Sequence, residues 1–194
     1  MGVEARRRHQ RLGRNRVTLS RSGLRIVDSE DAMRSAIALA REYGAWAVEQ
    51  AKHEYGIDAQ AESERGLSSS IDELLVPRGR LYLVEHEGVP VGLGGLKPIS
   101  DGIAEIKRMY IRPSARGHGL GRRLLEQLLA DARALHFRLI RLESAVFMPE
   151  AHALYRSAGF TDVPPYEGRE FADIPGAEEI QVFMTVQLEE RTRR

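Results

Sequence analysis

Apolar positions change their period several times along the chain, and each change marks an element. Leu24-Arg25-Ile26-Val27 reads as a short strand, and Asp28, Ser29 and Asp31 supply helix-start chemistry. Met33, Ile37, Leu39, Ala40 and Tyr43 then recur at helical spacing, and Gly44 interrupts the run before Trp46 to Tyr55 resume it, so two short helices are expected. Residues 56–70 are small and polar and read as a connecting loop, with Ile71 to Val76 adding one helical turn. Arg80–Glu85 and Val89–Leu96 flank Glu87-Gly88 as a hairpin. Gly92, Gly94 and Gly95 in its second strand predict a bulge or a close backbone approach.

Ile103–Ile111 forms a third strand in this series, closed by Arg112-Pro113. Gly119–Leu135 has the strongest helical period, with Leu120, Leu124, Leu125, Leu128, Leu129 and Ala132 on one face. A strand at Arg138–Glu143, a helix at Pro149–Ser157 ended by Gly159, a strand starting at Phe160–Val163 and a last strand at Gln181–Leu188 complete the order. Hairpin-linked strands followed by alternating helices and strands predict an α/β (α+β) layer architecture.

At 194 residues, 42% hydrophobic and 29% charged, the chain suits one folded domain. Without Cys it has no disulfide framework, thiolate metal site or Cys nucleophile. No apolar run reaches signal-peptide or membrane-spanning length, which gives the expectation of a cytoplasmic protein without a membrane role. The near-neutral total of +1 conceals an asymmetry: residues 1–25 carry eight Arg against Glu4, a net of +7, so the remainder carries −6. Residues 1–23 are expected to be a disordered basic arm, 24–188 the folded domain and 189–194 a charged tail. Nucleic-acid binding is disfavoured for the acidic domain and left only to weak charge attraction by the arm. The six His have no paired metal-ligand spacing with carboxylates, so no metal is expected.

The candidate chemistry centres on Arg116-Gly117-His118-Gly119-Leu120-Gly121-Arg122, between a strand and an amphipathic helix. Glycines let the backbone approach an anion, and the free N–H groups of a helix's first turn point at it, as a pyrophosphate cradle requires. A Rossmann fingerprint needs Gly where Arg122 stands, and a Walker loop needs Gly-Lys-Ser or Gly-Lys-Thr, which the chain lacks. Nicotinamide cofactors and ATP are therefore disfavoured.

Arg116–Gly121 matches the Arg/Gln-x-x-Gly-x-Gly/Ala signature of the GNAT acetyltransferases, and Ala153-Leu-Tyr-Arg-Ser-Ala-Gly-Phe160 resembles their Leu-Tyr…Gly-Phe segment. Glu105–Pro113 resembles their central strand and the Val-x-Pro after it. The resemblance implies a mixed, mostly antiparallel sheet with splayed central strands and helices on both faces. It also implies acetyl-CoA as acetyl donor, held by Met109, Tyr110 and Ile111 along the pantetheine arm. Arg116, Gly117, His118, Gly119, Leu120, Gly121 and Arg122 would hold the pyrophosphate, with Ala151 contributing from the next helix. By the same resemblance Tyr155 is the general acid for the leaving sulfur, and Glu105 is a carboxylate that accepts the amine proton through water. Many members have Asn where this chain has Met148, which leaves the backbone cradle intact.

Direct transfer of acetyl to a primary amine of a small or amino-acid-like acceptor, in a ternary complex, is the function expected. Pro164-Pro165-Tyr166-Glu167 resembles a Pro-Tyr-Tyr subgroup with such acceptors. Two alternatives stand beside it: a CoA-binding regulatory module without catalysis, and an acetyltransferase of a protein or ribosomal target recruited by the Arg-rich arm. A homodimer is left open. His118 falls on a solvent-facing spacer of the motif, and His152, three residues before Tyr155, is a candidate to line the cleft.

Overall fold

The computed structural model describes residues 22–59 and 71–189. Residues 1–21 of the basic arm, most of the 56–70 loop and the tail beyond Glu189 lie outside the described residues, and Gly23, assigned to the arm, opens the first strand. Seven strands form one sheet in the order β1-β2-β3-β4-β5-β7-β6. These are β1 (Gly23–Ile26), β2 (Arg80–His86), β3 (Val89–Ser100), β4 (Ile103–Ile111), β5 (Leu139–Ala145), β6 (Thr161–Asp162) and β7 (Gln181–Gln187). The helices are α1 (Glu30–Tyr55), α2 (Leu120–Ala134), α3 (Pro149–Ser157) and the short α4 (Ala177–Ile180). Every neighbouring pair is antiparallel except β4–β5, which is parallel because α2 carries the chain across the sheet between them.

Side-chain alternation in the strands feeds two cores, one on each face. Leu81, Leu83, Leu93 and Tyr110 pack with Ala32, Ala36, Leu39 and Ala40 of α1. Val84, Val91, Leu96, Ala104 and Ile106 pack with the leucine face of α2 and with Tyr155 and Phe160. The mixed, mostly antiparallel sheet with helices on both faces is thus the architecture read from the sequence.

The two short helices expected before residue 56 are one helix of 26 residues. Ser29 caps it by accepting from the Ala32 N–H, and Gly56, at φ 71°, ends it. An interior Gly costs about 1 kcal/mol relative to Ala, which the burial on both sides of Gly44 outweighs. The expected strand at Phe160–Val163 shrinks to two residues, and α4 lies in a stretch whose weak periodicity gave no element.

Between the pairs Leu93↔Tyr110 and Gly95↔Lys107 lies one β3 residue but two of β4, Arg108 and Met109, so β4 is bulged there. Arg108 takes φ 57°, a left-handed conformation uncommon for a non-glycine residue. The glycine run opposite is a close approach as well: a Cβ on Gly92 would lie 2.4 Å from the Tyr110 carbonyl oxygen, and one on Gly95 2.7 Å from that of Arg80. Gly92→Ala must displace backbone. It is expected to cost about 2 kcal/mol, read as a lower urea midpoint, whereas Gly88→Ala in the open turn should cost less.

Candidate functional site

The β4–β5 ladder holds for four pairs, Ile103↔Leu139 to Ile106↔Leu142, and then the strands part. β4 stays with β3 and β5 stays with β7 as far as Ala145↔Gln181. Tyr110 pairs with Leu93 and the Arg112 N–H donates to Val91. Ladder alternation therefore turns the Ile111 N–H to the side that β5 has left, and Met109 sits next to it in the bulge. The Tyr110 side chain points away from that opening: it is buried toward α1, stacked on Tyr43 at 5.4 Å, and donates to Glu42 at 2.8 Å. Burial and the Glu42 carboxylate push its phenol up to about 12. Arg112 binds the same carboxylate through Nε and Nη2, at 2.9 and 2.7 Å to Oε2.

A 3₁₀ turn at Pro113–Ala115 leads to the glycine loop, where Gly117 and Gly119 take φ 81° and 72°. Gly119 begins α2 with no side chain capping the first turn, so the N–H groups of Leu120, Gly121 and Arg122 have no side-chain acceptor there. A Cβ on Gly119 would meet open space, and one on Gly121 would come within 3.5 Å of Leu154 and 3.8 Å of Ile111. The N-terminus of α2, the end of β4 and α3 thus meet at one place. Arg116 turns its Nε to the Ile111 carbonyl, Arg122 donates to Ser157, and His118 is exposed with its ring 4.8 Å from that of His86. Leu120 contributes only backbone, since its side chain is in the core.

On α3, Ala151 and Leu154 pack against the core, and Tyr155 is 6% exposed with its ring 5.8 Å from Phe160. Burial, and then the neighbouring Tyr43 phenol, raise the Tyr155 hydroxyl well above its ordinary range. His152 is buried, its Nε2 3.0 Å from the Ser144 hydroxyl, so it ties α3 to the end of β5. Met148 precedes α3 with its sulfur near the hydroxyls of Ser144 and Tyr43.

On the α1 side of the parting lies a cavity of about 120 Å³. Tyr43, Phe147, Phe171 and Ile174 give it apolar walls, and Glu105, Lys107, Arg108, Glu143 and Glu170 give it charge. Glu105 is 2% exposed and ion-paired to Arg141 at 2.7 Å and Lys107 at 3.2 Å. Lys107 also binds Glu170 at 2.9 Å, and Arg108 binds the same carboxylate. Burial by itself would raise Glu170, but the charges of Arg108 and Lys107 outweigh it and hold its carboxyl below the usual range. Glu143 goes the other way. Burial first, and then the Glu105 charge, push it up to about 7, against the opposing pull of the Glu170 N–H and Lys107.

Glu143, Lys107 and Arg141 were not singled out from the sequence, although a signal exists. Glu105-x-Lys107 and Arg141-x-Glu143 place charges two apart on strands whose other residues are mostly apolar. Glu170 comes from an irregular segment and has no such signal.

Between pH about 4.5 and 7 the folded chain keeps a proton on Glu143 that the unfolded chain has lost, so this group lowers stability as pH rises through that window. Glu143→Gln, which resembles the protonated form, should leave the melting temperature near wild type at pH 5. At pH 8 it should raise stability by about 1–3 kcal/mol, read by thermal denaturation at both values.

Residues 45–160 match the model of the acetyltransferase (GNAT) family. An IAA acetyltransferase of Azospirillum brasilense is 37% identical over 97 residues, which cover 50% of this chain and 63% of that protein, so the match spans a little under two thirds of it. YjgM of Escherichia coli, called an uncharacterized N-acetyltransferase, is 33% identical over 126 residues, 60% of this chain and 73% of that one. Among solved structures, yncA of Salmonella typhimurium with its cofactor acetyl-CoA superimposes with a TM-score of 0.59 at 21% identity, covering 89% of this chain and 96% of that chain. Matched in sequence across the parted strands, the glycine loop and the Leu-Tyr helix, and sharing their fold, the chain belongs to the GNAT acetyltransferase family.

Proposed function

We propose that this chain moves the acetyl group of acetyl-CoA to the primary amine of a small, amino-acid-like acceptor, by direct attack in a ternary complex. The observation that carries the reading is the parting of β4 from β5. On this reading the Met109 and Ile111 N–H groups serve the opening between the glycine loop and the charged cavity, where β4 has no β5 partner. The residues suit the donor: uncapped N–H groups at Gly119–Arg122 match a pyrophosphate, and the opening offers the donors that an extended pantetheine amide chain would take from a neighbouring strand. Thioester chemistry is what the donor supplies when bound.

The Met109 and Ile111 N–H groups orient the carbonyl and favour negative charge on its oxygen. Tyr155 faces the departing sulfur. Its phenol lies above its ordinary pKa of about 10 while a thiol lies near 8.5, so complete proton transfer runs uphill and the hydroxyl acts mainly as a hydrogen-bond donor. The acceptor occupies the cavity, whose size and apolar walls favour a compact body over a folded protein surface. Glu105 and its neighbouring carboxylates form the wall to which the amine proton leaves.

Coenzyme A should raise the melting temperature, since a ligand that binds only the folded state stabilises it. Gly119→Val introduces a β-branched residue at φ 72° and fills the open side of the loop. It should weaken coenzyme A about tenfold or more, ~1.4 kcal/mol, by calorimetry. Absence of any thermal shift at millimolar coenzyme A would overturn the donor assignment.

Tyr155→Phe keeps the ring packing and removes the hydroxyl. Turnover should fall about 10- to 100-fold with coenzyme A affinity and stability little changed, and the loss should be smaller for a thioester whose thiol has a lower pKa. Unchanged turnover when the chemical step limits the rate would leave Tyr155 a core residue.

A further inference from the structure

We infer that Glu143, rather than Glu105, is the group that takes the proton from the acceptor amine. This assignment rests on the acetyl-transfer reading and deepens it.

Lys107 and Glu143 are the first residues beyond the last β4–β5 pair, Ile106↔Leu142, so they stand where the strands open. Glu105 and Glu143 both line the cavity but are held differently. Each oxygen of Glu105 meets a cation, Oε1 at Lys107 and Oε2 at Arg141. Glu170 is likewise held by Lys107 and Arg108. Glu143 has no ion pair among the described residues; it accepts the Glu170 N–H at 3.1 and 3.3 Å and the Gln181 amide at 3.4 Å. Protonating Glu105 would neutralise one half of two ion pairs, whereas protonating Glu143 breaks none.

The groups around Glu143 agree with this division. Glu105, Lys107 and Arg108 face the cavity from β4, Tyr43 from α1 and Glu170 from the segment before α4; Arg141 stands two residues earlier on β5, and Tyr166 has a buried hydroxyl coupled to Glu143. The cations are consumed by Glu105 and Glu170, which leaves Glu143 to titrate near neutrality. A group with that proton affinity is the best compromise between being ionised at working pH and being basic enough to receive a proton.

The acceptor enters as an ammonium ion, and the Glu143 carboxylate takes one N–H proton. The freed lone pair forms the C–N bond to the thioester carbonyl carbon, the C–S bond breaks, and its electron pair leaves on sulfur. The nitrogen's second proton is lost as the amide forms and is matched by the one sulfur gains beside the Tyr155 hydroxyl. Glu143 returns its proton to water, so the products are the amide, the free thiol and one proton.

The test uses the full chain, acetyl-CoA and a panel of primary amines spanning the L-amino acids and phenethylamine, with thiol release followed from pH 5.5 to 9.5. Wild-type kcat/KM should show two limbs. One, near pH 7, is unchanged when amines of different pKa are compared; the other moves with the amine. Glu143→Gln should erase the limb near pH 7 and lower kcat/KM at pH 8 about 100-fold, while keeping the coenzyme A thermal shift that reports an intact fold. Glu143→Asp should retain the limb at an intermediate rate, and Glu105→Gln should keep a limb displaced to lower pH, since the Glu105 charge raises Glu143, while lowering the rate. A Glu143→Gln enzyme within about threefold of wild type, or a limb erased by Glu105→Gln and kept by Glu143→Gln, overturns the assignment while acetyl transfer stands. No turnover of any panel amine by wild type overturns the acetyl-transfer reading itself, and the assignment with it.

Discussion

The end of the β4–β5 ladder after Ile106↔Leu142 is the constraint on which the site depends, because two buried strands normally continue pairing until one of them stops. Here neither stops: β4 runs on for five residues and β5 for three. What separates them is local. The extra residue in β4 at Arg108–Met109 bulges that strand where it stays paired with β3. The side chains just past the fork are Lys107 and Glu143, each drawn into polar contacts on the α1 side. Backbone N–H groups left without a strand partner at such a fork are costly unless something else accepts from them, and the amide chain of the proposed donor would meet that need.

The two ends of the opening are fixed by different physics. At the α2 end, backbone conformation does the work: positive φ at Gly117 and Gly119 turns the chain so that the first helical N–H groups face outward together. At the α1 end, side-chain charge does it. Three carboxylates and three cations, Glu105, Glu143, Glu170, Lys107, Arg108 and Arg141, gather on this side of the fork. The Arg108 conformation, unfavourable for its residue type, places its guanidinium on Glu170 and so draws the segment before α4 onto the cavity. Glu42, gripped by Tyr110 and Arg112, anchors α1 to the far end of β4 and keeps the cavity wall in place.

The fold and the glycine turn before α2 were legible because both rest on local signals. Its place after the hairpin and before Arg112-Pro113 marked Ile103–Ile111, the leucine stripe marked the helix after Gly119, and glycines at 117, 119 and 121 marked the turn between them. Gly44 misled as a helix break because propensity is a small term beside tertiary burial on both sides of it. The acceptor side was less legible. Glu105 stood out through resemblance, but its neighbours come from β5 and from residues 166–171, and only the folded chain shows which cation holds which carboxylate. Tyr110 illustrates the same limit: its place in the central strand was readable, but its side chain goes to Glu42, away from the opening.

That division of cations also explains why the cluster contains more acid than a proton acceptor alone would need. A lone carboxylate among apolar walls would be pushed up by desolvation, and one beside a cation would be pulled down and lose its basicity. Glu105 raises Glu143 through its negative charge, while Lys107 and the Glu170 N–H restrain the rise, so the result is set by opposing contributions and not by burial alone. The arrangement has a thermodynamic consequence: keeping Glu143 ionised above neutrality works against folding. A charge whose removal would stabilise the chain, placed where two strands open onto a cavity, is more readily understood through the chemistry of that cavity than through the architecture around it.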